Sequence, residues 1–556
     1  VLRGPVFFFR QRRLVLSESA GNLSRESPVS TQTLLAVPLT SSTPPLAEQV
    51  RAARAAGADV VELRVDCFED VAAVEALLVG PRELPLIVTV RSAEEGGAWT
   101  GSEADRIALL ERLGLLNPGF IDLEYAAWCR SANIRQKIGL VCALGRGNGS
   151  SVRPAAPEQR PRNQLILSYH DFSGAPADLT RVFDELLATP AGIIKVAVTA
   201  EDALDACRVL AELASRRTTR KIIALAMGPA GVATRVLARK FGAFLTFAAL
   251  SPGAESAPGQ PTVSELKQVY GWEAITADCQ VYGVIGWPVA HSRSPHVHNA
   301  AMRADGIAGV YVPWAVQPGY AAFAAFMDYV TGHPELDIAG LSVTVPHKEN
   351  ARRWVEERGG HLTERARHCG AVNTLTRRGA RWWGDNTDGV GAVAALETSA
   401  RIRARGWRGL RVAVLGAGGA ARAVVAALRE RNCEVTVFNR TADRARRLAR
   451  ELGCDWGPWN ARGAWEGEVV VNCTTVGMAP AVEESPLSGS ALRPEMIVLD
   501  TVYSPPDTRL LREARVRGCE VISGEELFLE QAAAQYELWH GRRPPPDVMR
   551  RALSRV

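Results

Sequence analysis

The ten residues Val412-Ala-Val-Leu-Gly-Ala-Gly-Gly-Ala-Ala421 decide the fold of the last third of the chain. Val412–Leu415 is an apolar run of strand length, and an Ala-rich segment of helical texture follows it. Between them, Gly416 and Gly418 permit a tight turn and close approach of backbone to a pyrophosphate, and Ala421 stands at the third glycine position of G-x-G-x-x-G/A. Strand, turn and helix in this order open a Rossmann dinucleotide-binding domain, with Gly416, Ala417, Gly418, Gly419 and Ala420 as the cofactor loop. The next apolar run, Val435–Phe438, ends in Asn439-Arg440-Thr441. NAD sites usually place a carboxylate there for the ribose hydroxyls. None is present, and Arg440 with Arg444 suits a 2′-phosphate, so NADP (as NADPH) is the expected cofactor.

Upstream of this stretch the chain is long enough for more. Its 556 residues suggest three or four domains at about 150 residues each. Hydrophobic residues are 47% and charged residues 22%, which excludes a mostly disordered, collagen-like or coiled-coil chain. No apolar run approaches the ~18 residues of a membrane span. The 65 Lys plus Arg against 60 Asp plus Glu are too evenly spread for a nucleic-acid surface. Ten cysteines, from Cys67 to Cys519, form no CxxC pair and no cluster at zinc-ligand spacing, as expected of reduced thiols in a cytoplasmic enzyme. His296 and His298 read as a helix-start pair rather than metal ligands. Residues 1–33 are basic and Ser-rich and read as a disordered extension, with a targeting peptide as the competing reading.

From Leu34 onward, short apolar runs alternate with amphipathic helical segments. Leu35–Pro38, Val60–Val65, Leu86–Val90, Phe120–Leu123, Leu165–Ser168, Ile193–Val196, Ile222–Ala226 and Phe244–Phe247 make eight strands in about 240 residues, the pattern of a (β/α)8 TIM barrel. Gly145–Arg162, rich in Gly, Ser, Pro and Arg, reads as an exposed insert, and Glu265–Cys279 as a linker helix. In a barrel the chemistry lies at the carboxyl ends of the strands. Glu62 and Arg64, Arg91 and Glu95, His170, Lys195, Arg235, Ser256 and Gln260 fall there. Lys195 is the informative one, because an ammonium within an apolar strand needs a partner or a lowered pKa. A neutral amine forms a Schiff base with a ketone, and a nearby histidine moves protons.

Glu-Leu-Arg-Val-Asp (62–66), Ser-Tyr-His-Asp-Phe (168–172), the Ile-Lys strand and Ser-Ala-Pro-Gly-Gln (256–260) resemble type I 3-dehydroquinate dehydratase over about Leu34–Lys267. The resemblance implies that Lys195 forms an imine with the C3 ketone of dehydroquinate. His170 then removes the C2 proton and helps the C1 hydroxyl leave, with Glu95 orienting it. Arg235 would grip the carboxylate, while Glu62, Arg64, Arg91, Ser256 and Gln260 hold hydroxyls and close the lid. Thr234-Arg235 replaces the family's usual Ser-Arg and keeps a hydroxyl.

Val281–Ile285 begins a further α/β unit. Gly-Trp-Pro-Val-Ala-His-Ser-Arg-Ser-Pro (286–295) supplies Ser292 and Ser294. Ser-Val-Thr-Val-Pro-His-Lys (342–348) supplies Thr344 and Lys348, and two later motifs supply Asn373 and Asp388. A lysine and an aspartate beside a carbinol can pass the proton that accompanies hydride transfer. With Asn-Cys-Thr-Thr-Val-Gly-Met (472–478), Asp-Thr-Val-Tyr-Ser-Pro (500–505) and the segment 531–541, these motifs resemble shikimate dehydrogenase over about Val281–Val556. The resemblance implies Lys348 and Asp388 as the catalytic pair and Ser292, Ser294, Thr344, Asn373, Tyr503 and Gln531 as substrate-binding. It also implies Asn439, Thr441, Thr474 and Gly524 at the cofactor. Ser342 and Leu527 stand where many single-domain members carry Asn and Met.

The expected architecture is α/β throughout. An extension (1–33), a barrel (34–268) and a linker (269–280) precede a substrate-binding domain (281–391), a Rossmann domain (392–520) and C-terminal helices returning to the substrate domain (521–556). The whole chain resembles the fused enzyme of aromatic amino-acid biosynthesis, a lyase joined to an oxidoreductase. Its expected partners are the small molecules 3-dehydroquinate and 3-dehydroshikimate/shikimate, with no nucleic acid or membrane, in a monomer or homodimer. A catabolic NAD-dependent quinate or shikimate dehydrogenase and a non-catalytic metabolite sensor are the rival readings. The paired Ser292 and Ser294 together with Arg440 and Arg444 argue against the first, and the presence of both Lys195 and Lys348 against the second.

Overall fold

The polypeptide is described by a computed structural model covering residues 32–142, 163–216 and 220–555. Most of the N-terminal extension and the 145–162 insert lie outside the described residues. The first sheet contains β1 (Leu34–Leu39), β2 (Val60–Arg64), β3 (Leu86–Thr89), β4 (Gly119–Glu124), β5 (Gln164–Asp171), β6 (Ile193–Thr199), β7 (Lys221–Met227) and β8 (Leu245–Phe247). Neighbours are parallel, in the order β7-β6-β5-β4-β3-β2-β1-β8. The Phe244 amide donates to the Ile222 carbonyl at 2.7 Å and brings β8 against β7, closing the ring. Inward-facing Val60, Ile87, Phe120, Ile166, Ile193 and Ile223 fill the floor. Bulky side chains from successive strands make this a packed core, so polar groups one pleat higher sit on a dry base.

The segment read as a linker helix behaves differently. Its helix is Val263–Gln268, closed by a capping box between Thr262 and Glu265. Helical geometry stops there because Gly271, at φ 66°, turns the chain so that Trp272 and Ile275 are buried. Only the short 3-10 turn Trp272–Ala274 follows before the next strand.

A mixed second sheet holds β9 (Gln280–Gly286), β10 (Gly309–Ala315), β11 (Ile338–Val343), β12 (His361–Leu362), β13 (Thr374–Arg378) and β14 (Arg381–Asp385), ordered β10-β9-β11-β13-β14-β12. The third sheet is wholly parallel: β15 (Arg411–Leu415), β16 (Glu434–Asn439), β17 (Asp455–Pro458), β18 (Val469–Asn472), β19 (Ile497–Asp500) and β20 (Glu520–Ile522), ordered β17-β16-β15-β18-β19-β20. That order, reversing at β15, places a crevice beyond the ends of β15 and β18. Position 391/392, read above as a domain boundary, falls inside the helix Asp388–Leu396. The long helix Gly524–His540 buries Phe528, Leu529, Ala532 and Tyr536 in the core of the second sheet. It crosses Asp388–Leu396 so closely that a Cβ at Gly391 would lie 2.9 Å from both the Gln531 Cβ and the Leu527 carbonyl oxygen. Glycine is the residue that permits this crossing. Among the described residues no helix is long and apolar enough to cross a membrane.

Candidate active sites

The barrel mouth opens on a cavity lined by Glu62, Arg64, Arg91, Glu95, His170, Lys195, Arg235 and Ser256, with Phe172 and Phe247 among its apolar walls. Registered pairing of Glu124 with Ser168, and of Ser168 with Lys195, sets these polar residues in a common layer above the floor. Lys195 is buried. Its Nζ lies 3.4 Å from Asp122 Oδ2, 3.9 Å from Glu62 Oε1 and 4.7 Å from the Phe247 ring centroid. The lysine thus has partners, and the nearer one, Asp122, is a residue the sequence reading passed over. Asp122 Oδ1 accepts from Arg91 Nη2 and from Ser168 Oγ, both at 2.7 Å. Burial favours its neutral form, but Arg91 and Lys195 outweigh that and hold the carboxyl below the usual carboxylate range.

The three arginines have different fates. Arg91 is buried and bonded to Asp122 and Ser168, with Glu124 at 3.3 Å. Against its burial, Asp122 and Glu124 hold its guanidinium above the ordinary value. Arg64 forms a fork with both oxygens of Asp66, at 3.0 and 2.8 Å. Arg235 is the fourth residue of the short helix Val232–Val236, is 2% exposed, and its Nε has no hydrogen-bond partner. Burial alone drives it down to about 10. A buried cation without a counter-charge at a cavity wall is a receptor for an anion. Gln260 adds a second unpartnered buried donor: its Oε1 accepts from the Ser256 amide at 2.8 Å, while its Nε2 is unbonded. Thr234 is spent on structure, accepting from the Ala226 amide and donating to the Gly231 carbonyl.

His170 Nδ1 meets Glu95 Oε2 at 2.9 Å. Burial pushes the Glu95 carboxyl up to about 7, and burial beside Arg91, Lys195 and Arg64 holds the His170 imidazole well below its usual value. Both shifts disfavour charge, so burial favours a neutral imidazole beside a carboxyl of raised proton affinity.

In the second site, Lys348 opens the helix Lys348–Glu357 and Asp388 opens Asp388–Leu396. Their side chains meet, Nζ to Oδ2, at 2.5 Å. Asn373 donates to Asp388 Oδ1 at 2.9 Å and to Thr387 Oγ1 at 3.0 Å, so both its amide hydrogens are committed to fixing the aspartate. The Asp388 amide is in turn held by Asn386 Oδ1 at 3.0 Å. Behind them runs a buried chain: the Tyr311 hydroxyl donates to Ser342 Oγ at 2.7 Å, Ser342 to Gln535 Oε1 at 2.8 Å, and Gln535 Nε2 to the Asn373 carbonyl at 3.1 Å. Tyr311, Gln535 and Asn386 were not singled out from sequence. Gln535 lies one helical turn beyond Gln531, and that spacing is the signal that could have found it. Ser342 fills a bridging role between two polar groups. The Ser294 amide donates to Ser292 Oγ at 3.3 Å, and the Tyr503 ring packs at a tilt against Phe528 with centroids 4.8 Å apart. Thr344 lies on the turn between β11 and Lys348, where its amide donates to the Ile285 carbonyl at 2.8 Å.

The cofactor loop follows β15. Gly416 has φ 115°, and a Cβ there would lie 2.9 Å from the Cys473 carbonyl oxygen. Gly418 precedes the helix Gly419–Glu430, whose N-terminus has no side-chain cap, and nothing lies within 4 Å of where its Cβ would stand. Free amides facing open space at a helix start suit a pyrophosphate. Ala417 and Ala420 are half-buried on the same turn. A Cβ on Gly419 would be 3.0 Å from Lys348 Cβ, which brings this loop beside the Lys348–Asp388 pair. Asn439 Nδ2 donates to the Thr441 carbonyl at 3.0 Å, and Thr474 Oγ1 donates to Asn472 Oδ1 at 2.7 Å. Arg440, Thr441 and Arg444 are exposed. Neither of these arginines appears in an ion pair among the described residues. Gly524 is buried against the Val502 carbonyl. His298 stacks on Tyr311 at 4.5 Å, and no group of three metal-ligating side chains occurs among the described residues.

Fold and sites together define a two-centred α/β enzyme: a barrel with an amine buried among carboxylates, joined to a nucleotide-binding dehydrogenase. Family models match in that order. Type I 3-dehydroquinase covers residues 35–277, the shikimate dehydrogenase substrate binding domain 284–375, shikimate / quinate 5-dehydrogenase 398–459 and the shikimate 5'-dehydrogenase C-terminal domain 524–553. Over 99% of its length the chain is 32% identical to the chloroplastic bifunctional 3-dehydroquinate dehydratase/shikimate dehydrogenase of Arabidopsis thaliana, covering 91% of that protein. The chain belongs to this bifunctional family. Half of it also matches single enzymes. It is 41% identical to the shikimate dehydrogenase (NADP(+)) of Symbiobacterium thermophilum, over 49% of the chain and 93% of that protein. The Thermococcus kodakarensis shikimate dehydrogenase (NADP(+)) is 39% identical over 50% of the chain and 96% of its own length.

Proposed function

We propose that the barrel dehydrates 3-dehydroquinate to 3-dehydroshikimate and that the second half reduces this product to shikimate with NADPH. The observation that carries the reading is the presence, in one chain, of two complete constellations: Lys195 with the His170–Glu95 pair, and Lys348 with Asp388.

In the first site Lys195 attacks the C3 ketone, water leaves and an imine forms. His170 takes the C2 proton and returns it to the departing C1 hydroxyl, while Glu95 holds the imidazole. Arg235, the guanidinium without a counter-charge, takes the substrate carboxylate. Glu62, Arg64, Ser256 and Gln260 face the hydroxyls. Arg91 lines the same cavity with them, and its guanidinium also holds Asp122 and Glu124.

In the second site, NADPH supplies hydride when bound. The glycine loop 416–420 with Thr474 and Gly524 would hold it, with Asn439, Arg440, Thr441 and Arg444 around the 2′-phosphate. Lys348 and Asp388 provide the accompanying proton to the carbonyl oxygen. Ser292, Ser294, Thr344, Tyr503 and Gln531 bind the substrate, with Asn373 steadying Asp388 from behind. The division into domains at 34–268, 281–391, 392–520 and 521–556 goes with this reading, as does a monomer or homodimer needing no nucleic acid or membrane. We place the chain in the cytoplasm, in keeping with ten unpaired cysteines.

A coupled assay tests the proposal. Purified protein given 3-dehydroquinate and NADPH should oxidise NADPH. Lys195→Ala should stop that, yet leave reduction of added 3-dehydroshikimate intact. Loss of both activities in a folded Lys195→Ala protein would refute the two-site assignment.

A further inference from the structure

Resting on that reading of the barrel, we propose that Asp122 is the counter-ion of the protonated Schiff base, the group that keeps the imine an electron sink. Three observations carry it. The carboxylate sits on β4, with Oδ2 at 3.4 Å from the reacting nitrogen and nearer to it than Glu62. Its other oxygen is pinned by Arg91 and Ser168, so Oδ2 is aimed at Lys195 rather than free to rotate away. Both side chains are buried, and water therefore screens the pair little.

The balance is simple. Lys195 as the free amine adds to the ketone carbon, and the carbinolamine loses hydroxide, which leaves as water with a proton from His170. The product is a C=N bond whose nitrogen carries one proton and a positive charge. Asp122 gives up and takes no proton. Its charge lowers the energy of the iminium relative to the neutral imine, and only the iminium withdraws electrons strongly from C2. By holding the iminium charged, the carboxylate speeds abstraction of the C2 proton. Other titratable groups lie in or beside the cavity that holds the nitrogen. Glu62 lies on β2, Glu124 on β4 and Glu95 on the loop after β3, while Arg64, Arg91, Arg235 and His170 line the same cavity. Of these, Glu62 and Asp122 are the carboxylates within 4 Å of it, and Glu62 Oε1 is already bonded to Thr89 Oγ1 at 2.8 Å.

The test is Asp122→Asn in the full chain, with reduction of 3-dehydroshikimate in the same molecule as the fold control. Dehydration kcat should fall on the order of 100-fold, the scale for losing one preorganised charge contact in the reacting state, with KM changed less than about threefold. The alkaline limb of kcat should move to lower pH, because an unpaired iminium loses its proton more readily. Asp122→Glu should recover part of the rate. Should Asp122→Asn fail the reduction control, Ser168→Ala, which frees one lone pair of Asp122, should show a smaller loss with the same alkaline displacement. A folded Asp122→Asn with near-normal kcat, or a loss without any movement of the alkaline limb, overturns the proposal. Borohydride with 3-dehydroquinate on the unaltered protein separates the two failures: no covalent inactivation there means that the Schiff-base reading itself is wrong.

Discussion

Arg235→Met should make the protein more stable and the barrel nearly inert. In the folded chain burial lowers this guanidinium from 12.5 to about 10. At about 1.4 kcal/mol per tenfold change in proton affinity, the buried cation costs about 3 kcal/mol. The sign is set by which state holds the proton less firmly. Below pH 10 the group is protonated in both states and the full cost is present. It is relieved only as pH rises from about 10 through 12.5, so at neutral pH nothing offsets it except a bound anion. Methionine keeps most of the side-chain volume and carries no charge, and replacing buried charge by apolar volume is commonly neutral or stabilising. After some loss for imperfect packing, a gain of roughly 1–3 kcal/mol remains, or a few degrees in apparent melting temperature. Thermal unfolding of the two proteins side by side measures it. The same change should lower dehydration kcat/KM on the order of 100-fold by removing a charge-assisted carboxylate contact, while reduction of 3-dehydroshikimate is unchanged. A lower melting temperature together with an unchanged KM for 3-dehydroquinate would show that Arg235 has an internal partner and is no anion receptor.

Two further outcomes are expected. Arg440→Ala with Arg444→Ala should raise KM for NADPH roughly 10- to 100-fold while changing that for NADH less than about twofold, and equal effects on both cofactors would sink the 2′-phosphate assignment. Glu95, pushed up to about 7, adds stability that is fully present below its unfolded value of 4.5 and is lost as pH rises through 7. Glu95→Gln should therefore melt higher than the parent at pH 8, by up to about 3 kcal/mol, with the advantage shrinking toward pH 5. A constant difference across that range would contradict the assigned shift.

The barrel and the Rossmann unit were legible in sequence because their strands are apolar runs interrupted at few points, and each interruption asked for a chemical reason. Lys195 was found that way. Asp122 was missed although Phe-Ile-Asp-Leu-Glu poses the same question, a carboxylate inside an apolar strand, and the two answer each other at 3.4 Å. Arg91 shows the complementary limit. Sequence displays a charge but not its partners, and only the register of β3 and β4, which sets Thr89 opposite Asp122, reveals that its guanidinium is paired with Asp122 at the cavity wall. The linker helix failed for a local reason, a glycine turn inside an apolar stretch. Tyr311 acts through buried contacts made by residues far apart in the chain, which no spacing rule could connect, whereas Gln535 stands one helical turn beyond Gln531 and was within reach of such a rule.

The join between the halves is also more than a tether. Strand β10 is an edge of the second sheet, and an open edge invites pairing with other chains. Here the barrel covers it, with helix Val232–Val236 packed on β10 and helix Ala203–Arg216 against Tyr320–Gly332. Lys240, on the barrel, is buried and spends its three donors on the carbonyls of Ala277 and Cys279 and on Asp337 of the second sheet, at 3.0, 2.5 and 3.0 Å. An ammonium with all three protons bonded across a junction fixes orientation as well as distance. Apolar packing is continuous from the barrel's outer layer into the substrate domain. The helix that presents Arg235 to one cavity therefore rests on the strand that carries Tyr311 behind the other, and the two centres share a structural wall.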